Sequence, residues 1–81
     1  MHIFARLIHP EYGYDHDKEQ AKKLDPNMDY VVTNVSVGRS SSSFGLAAFP
    51  GQSFNTVQFD FYENGQLIDV ISRFTDQTSY F

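Results

Sequence analysis

The feature that most restricts what this chain can become lies at residues 56–71, TVQFDFYENGQLIDVI. Asn64-Gly65 stands between two apolar-rich runs. A type I′ turn needs positive φ at both central positions, which Asn and Gly tolerate best. A two-residue turn also sets the register of a hairpin: Glu63 faces Gln66, Tyr62 faces Leu67, Phe61 faces Ile68 and Phe59 faces Val70. Strand side chains alternate between faces, so Val57, Phe59, Phe61, Ile68 and Val70 are expected together as the core. Gln58, Asp60, Tyr62, Leu67 and Asp69 are expected on the opposite, half-polar face. A slip of one residue would bury Asp60 and Asp69, so the register is well specified. The alternating aromatic stripe needs no ligand to explain it.

The rest of the chain must complete a core around that hairpin. Its 81 residues allow one domain, residues 1–81, with a modest interior. Eight Phe and five Tyr help so short a chain bury enough area. The absence of cysteine excludes a disulfide framework and a thiolate metal site, and suits a reducing cytoplasm. A formal charge of -4 disfavours binding to nucleic-acid backbones, which needs a basic face. No apolar run approaches the ~18 residues that span a bilayer. The start, MHIFARLIHPEYG, lacks the marks of a signal peptide.

Residues 2–8 alternate Ile3, Ala5 and Leu7 with Phe4, Arg6 and Ile8, a short strand ended by Pro10 and Gly13. Residues 15–24 are the helical candidate. Asp15 or Asp17 would cap it, early acids and late lysines suit the helix dipole, and Tyr14, Ala21 and Leu24 would dock it. Pro26 stops it by Asp25. Lys18, Glu19, Lys22 and Lys23 read as a solvated face. Residues 30–37, YVVTNVSV, form a β-branched strand with Val31, Thr33, Val35 and Val37 on one face. Residues 38–43 are a loop. Residues 44–49 resume a strand, with Phe44, Leu46 and Ala48 inward. Its small residues, Gly45, Ala47 and Ala48, point to a close approach or a strong bend. Pro50-Gly51 reads as a turn. The tail, residues 72–81, either runs back across the sheet or frays, with Phe74, Tyr80 and Phe81 placed to cover an open core edge. The fold class is therefore mainly β: about five strands in a strongly bent sheet or small barrel, with one short helix after the first strand.

Motifs that carry chemistry are sparse. His2, His9 and His16 lack the spacing of a helical metal pair. His9 with Glu11, or Asp15-His16-Asp17, would offer mixed metal ligands, but they read more simply as exposed polar loop residues. GRSSSS at residues 38–43 would let hydroxyls and N–H groups near Arg39 hold a phosphate, yet it lacks the spacing and lysine of a P-loop. A nucleophilic serine there would need an oriented base, and no GxSxG or serine–lysine motif is present. Asp60 and Asp69 would form an acid/base pair only in a cleft, and read more simply as solvated strand charges. The aromatics Tyr30 and Tyr62, with Phe49 or Phe54, would stack single-stranded bases, with only Arg39 supplying charge. The surface expected to meet a partner is Tyr30, Arg39, Tyr62, Asp60 and Asp69. No catalytic residue, cofactor site or metal site is expected.

The segments YVVTNVSVGRSSSSFGL and FPGQSFNTVQFDFYENGQLIDV resemble small proteins without assigned activity, encoded by phages, prophages and conjugative elements of Gram-positive bacteria. The resemblance covers roughly residues 28–71. It implies a small β-barrel of SH3-like type, a bacterial host cytoplasm, and no functional residue that can be carried over. Three functions follow as expectations. The first is a non-enzymatic module that binds another protein through an exposed sheet face or edge. The second is an acidic mimic of nucleic acid that inhibits a host defence, which needs Asp15, Asp17, Asp60, Asp69 and Asp76 on one face. The third is a single-stranded nucleic-acid binder or a small enzyme.

Overall fold

The computed structural model describes residues 2–81. Its strands are β1 (Ile3–Leu7), β2 (Tyr30–Val37), β3 (Ser42–Leu46), β4 (Phe49–Asn55), β5 (Phe59–Glu63), β6 (Gln66–Ile68) and β7 (Thr78–Tyr80). Helix α1 (Asp15–Ala21) follows β1, and a single helical turn, α2 (Val70–Arg73), precedes β7. The strands pair antiparallel in the order β4-β3-β2-β1-β5-β6, and β7 also pairs with β2. The architecture is thus an open antiparallel sheet of seven strands, where five strands and a barrel were expected. Strands β4 and β6 end the path without pairing to each other, so the sheet does not close.

The hairpin forms in the expected register: Glu63 pairs with Gln66, Tyr62 with Leu67 and Phe61 with Ile68. Asn64 has φ 54° and Gly65 φ 76°, as a type I′ turn requires. The two ends of the predicted hairpin differ. Residues Thr56–Gln58 form a 3-10 turn, because the Asn55 side chain accepts the Val57 N–H and caps it. That turn reverses the faces, so Gln58 is fully buried and Val57 is 52% exposed. At the other end, Val70 is buried as expected, but from α2; no Phe59–Val70 strand pair exists.

Strand β1 buries Ile3, Ala5 and Leu7 as its alternation predicts. Strand β2 breaks its own alternation. Val32 lies opposite Leu46 while Asn34 lies opposite Gly45, so β2 carries one extra residue there. This bulge brings Val32, Val35 and Val37 to one buried face and leaves Val31 outside. Gly45 makes it possible: a Cβ there would lie 2.5 Å from Asn34 Oδ1 and 2.8 Å from Thr33 Oγ1. The turn expected at Pro50-Gly51 occurs instead at Ala47-Ala48, both exposed. Pro50 and Gly51 belong to a bulged segment of β4, where an edge strand tolerates a missing N–H.

The interior is built around Phe44, 1% exposed, whose ring meets Phe59 and Phe61 edge-on at 4.7 and 4.9 Å. Such pairs add about 0.5–1.5 kcal/mol each beyond the area they bury. Ala21 and Leu24 dock the α1 region on this core, whereas Tyr14 is 72% exposed and does not. Helix α2, too short to persist alone, is held by buried Val70, by the Asp69 cap and by an Arg73–Glu63 ion pair at 2.7 Å. The tail does run back: β7 pairs with Asn34, Val35 and Ser36 of β2. Phe74 packs partly against the core, while Tyr80 and Phe81 stay exposed.

Candidate functional site

Two surfaces stand out. The first is the outer face of the β2-β1-β5-β6 half of the sheet. Val31 lies opposite Phe4, Phe4 opposite Tyr62, and Tyr62 opposite Leu67. Directly opposed residues share a face, so these four side chains form one apolar row across four strands. Leu67 is 64% exposed and Val31 36%. The next row carries charge: Arg6 is opposite Asp60. The Arg6 guanidinium lies 5.1 Å from the Tyr62 ring centroid and makes two hydrogen bonds to Asp29, at 2.7 and 3.1 Å. The Asp29 hydrogen bond and then its charge raise the Arg6 pKa above the ordinary value, so Arg6 stays cationic. A depression of about 430 Å³ lies between Phe4, Arg6, Asp29, Tyr62 and Gly65.

The second surface is a polar groove where α1, the serine loop and β4 meet. Asp17 organises it. Its Oδ2 accepts the Tyr14 N–H at 2.9 Å, which ties off the start of α1, and the Asn55 Nδ2–H at 3.0 Å. Gly13, at φ 88°, admits that carboxylate: a Cβ would sit 2.8 Å from Asp17 Oδ2. Beside this linkage, His16, Gln20, Ser43 and Gln52 line a cavity of about 430 Å³. A second cavity, of about 610 Å³, shares Ser41 and Ser42 with the first and is also lined by Arg39, Ser40, Val57 and Ile71. Gln58 anchors the preceding loop: its Nε2 donates to the carbonyls of Pro10 and Tyr12, and its backbone carbonyl accepts from Ile8 and His9 N–H.

The residues expected to form one partner surface are divided among several places. Tyr62 and Asp60 share the outer sheet face. Tyr30 is on the other side: it lies opposite inward-facing Ala5, packs 6.1 Å from Phe49, and its hydroxyl accepts the Asp25 N–H. Arg39 belongs to the serine-loop groove. Asp69 is a helix cap, accepting from Ile71 and Ser72 N–H at 3.1 and 3.3 Å. Phe54 is buried and offers no stacking surface. Among the acids required for nucleic-acid mimicry, Asp17 and Asp69 spend their carboxylates on these internal bonds. His9 contacts Glu11 at 3.3 Å and His16 contacts Asp17 at 3.2 Å. Among the described residues, no group of three or more such side chains could hold a metal ion. No helix among them is long and apolar enough to cross a membrane. Sequence reasoning missed Phe4, Arg6, Val31 and Asp29; Phe4 and Arg6 were legible as the outer half of the β1 alternation.

No solved structure matches this chain. A protein of Enterobacteria phage T4, described as an uncharacterized 11.2 kDa protein in the segB-ipI intergenic region, is 36% identical over 66 residues. That similarity covers 76% of this chain and 68% of the T4 protein. The phage context expected from the resemblance agrees with this relative, while a Gram-positive host gains no support from it. The family model described as Bacteriophage T4 protein Y07B matches residues 2–78, nearly the whole chain, and the chain belongs to that family.

Proposed function

We propose that this member of a phage protein family is a non-enzymatic module that binds another protein through the outer face of β2, β1, β5 and β6. The observation that carries the reading is the apolar row Val31–Phe4–Tyr62–Leu67, directly opposed across four strands and left open at both ends. Exposed contiguous apolar surface beside fixed polar groups is the usual mark of a protein interface. Its composition suits one: Tyr and Arg are favoured anchors, and here Arg6 is already held in place by Asp29 and Tyr62. The partner should present an apolar surface with a hydrogen-bond acceptor near Arg6. We place the interaction in the cytoplasm of the infected host, in keeping with a chain that has no cysteine to oxidise. Affinity capture from infected cells, with the native protein and with a Val31→Asp, Leu67→Asp double variant, tests this. The native protein should retain a partner that the folded variant loses; retention of the same proteins by both refutes the reading.

A further inference from the structure

We propose that the groove between the serine loop and α2 is a second site, which binds the free carboxylate end of a peptide whose last residue is a branched apolar one. This goes beyond the sheet-face interaction and uses different residues. The starting observation is charge. Each of the other bases is engaged: Arg6 with Asp29, Lys18 with Asp15, Lys22 with Glu19, Lys23 with Gln20 and Gln52, Arg73 with Glu63. Arg39 alone makes no ion pair or side-chain hydrogen bond among the described residues. It lines a cavity of about 610 Å³ with Ser40, Ser41 and Ser42, whose hydroxyls are likewise without protein partners among those residues. The same cavity is lined by two exposed aliphatic side chains, Val57, 52% exposed, and Ile71, 43% exposed.

Val57 is outside only because the 3-10 turn capped by Asn55 reverses the chain there. Ile71 is outside because α2 turns Val70 inward instead. Two local devices therefore each present a branched aliphatic to the groove that holds the unpaired guanidinium.

The ligand must match that combination. One cation in a protein of net charge -4 suits a monoanion; a phosphate dianion would call for a second base. Arg can hold a carboxylate with two parallel N–H bonds. Capture of a chain-terminal carboxylate by Arg, hydroxyl and backbone donors is an established mode of peptide recognition. The serine hydroxyls can bond the peptide's amide groups, which an acyl chain lacks. Val57 and Ile71 give the peptide's last side chain an apolar contact beside the guanidinium.

Fluorescence anisotropy tests this with labelled hexapeptides of randomised body ending in leucine, supplied as the free acid and as the C-terminal amide. The acid should bind about tenfold more tightly than the amide, the scale of a charge-assisted pair. Arg39→Gln should remove that difference, and Val57→Asp should weaken the acid further. Both positions are exposed, and circular dichroism will confirm that the variants fold. Leu67→Asp should leave this binding unchanged, which separates the groove from the sheet face. The proposal is overturned if neither peptide binds, if acid and amide bind alike, if Arg39→Gln binds as the native protein does, or if decanoate or inorganic phosphate displaces the peptide at equal concentration.

Discussion

At the scale of single residues, buried polar groups define what the fold cannot give up. Gln58 is fully buried and its Nε2 satisfies the carbonyls of Pro10 and Tyr12 at 3.2 and 3.0 Å. Replacing it with leucine keeps the volume but strands both acceptors, so Gln58→Leu should cost about 1–3 kcal/mol in urea denaturation. Amide exchange should quicken around residues 9–14 first. Asp69 is the contrasting case. Its carboxylate faces solvent, yet it holds the Ile71 and Ser72 N–H groups. Asp69→Ala should destabilise by about 1 kcal/mol through the lost cap and leave partner binding intact. A selective loss of binding, without loss of stability, would return Asp69 to the interaction surface.

At the scale of elements, the sheet depends on two places where the backbone departs from regular geometry. The Asn64-Gly65 turn demands positive φ, and open space surrounds Gly65, so Gly65→Ala meets no clash. Its cost is the left-handed conformation alone, about 1–2 kcal/mol by thermal denaturation. The β2 bulge is tighter. At Gly45 a methyl group would displace Asn34 and break its hydrogen bond from Thr33 Oγ1. Gly45→Ala should therefore destabilise more than Gly65→Ala, although φ at Gly45 is ordinary. The reverse order would mean that the bulge yields easily. Both glycines stand in or beside apolar runs, but only Gly65 announced its role, because Asn-Gly is a local signal. Gly45 is explained by a neighbour 11 residues earlier, Asn34, that no local pattern connects to it.

At the scale of the molecule, the core is centred on one ring. Phe44 bridges β3 to the β5 aromatics Phe59 and Phe61, joining the two halves of the bent sheet. A chain of 81 residues has about 4–12 kcal/mol of total stability. Phe44→Ala removes about 3–5 kcal/mol. The variant should show a collapsed or absent thermal transition, and a native-like Tm would place the core elsewhere. Because the sheet is open, β4 and β6 are both edges. Strand β4 is defended by Pro50, its bulge and the nearby helix α1, with Lys23 bonded to Gln52. Strand β6 is defended by being short.

What the sequence determined by itself was local: the hairpin register from Asn64-Gly65, the inward set Ile3, Ala5 and Leu7, the extent of β2, and a helix after the first strand. Each follows from dihedral demands or side-chain periods contained within a few residues. The tertiary structure decided the rest. The bulge at Thr33-Asn34 and the 3-10 turn at Thr56–Gln58 each override an alternation that looked regular, and they leave Val32, Gln58 and Phe59 buried. The same packing set the seventh strand, the open ends and the separation of Tyr30, Arg39 and Asp69 from Tyr62. Which residues share a surface depends on how the bent halves of the sheet fold toward each other, and a linear pattern does not hold that information.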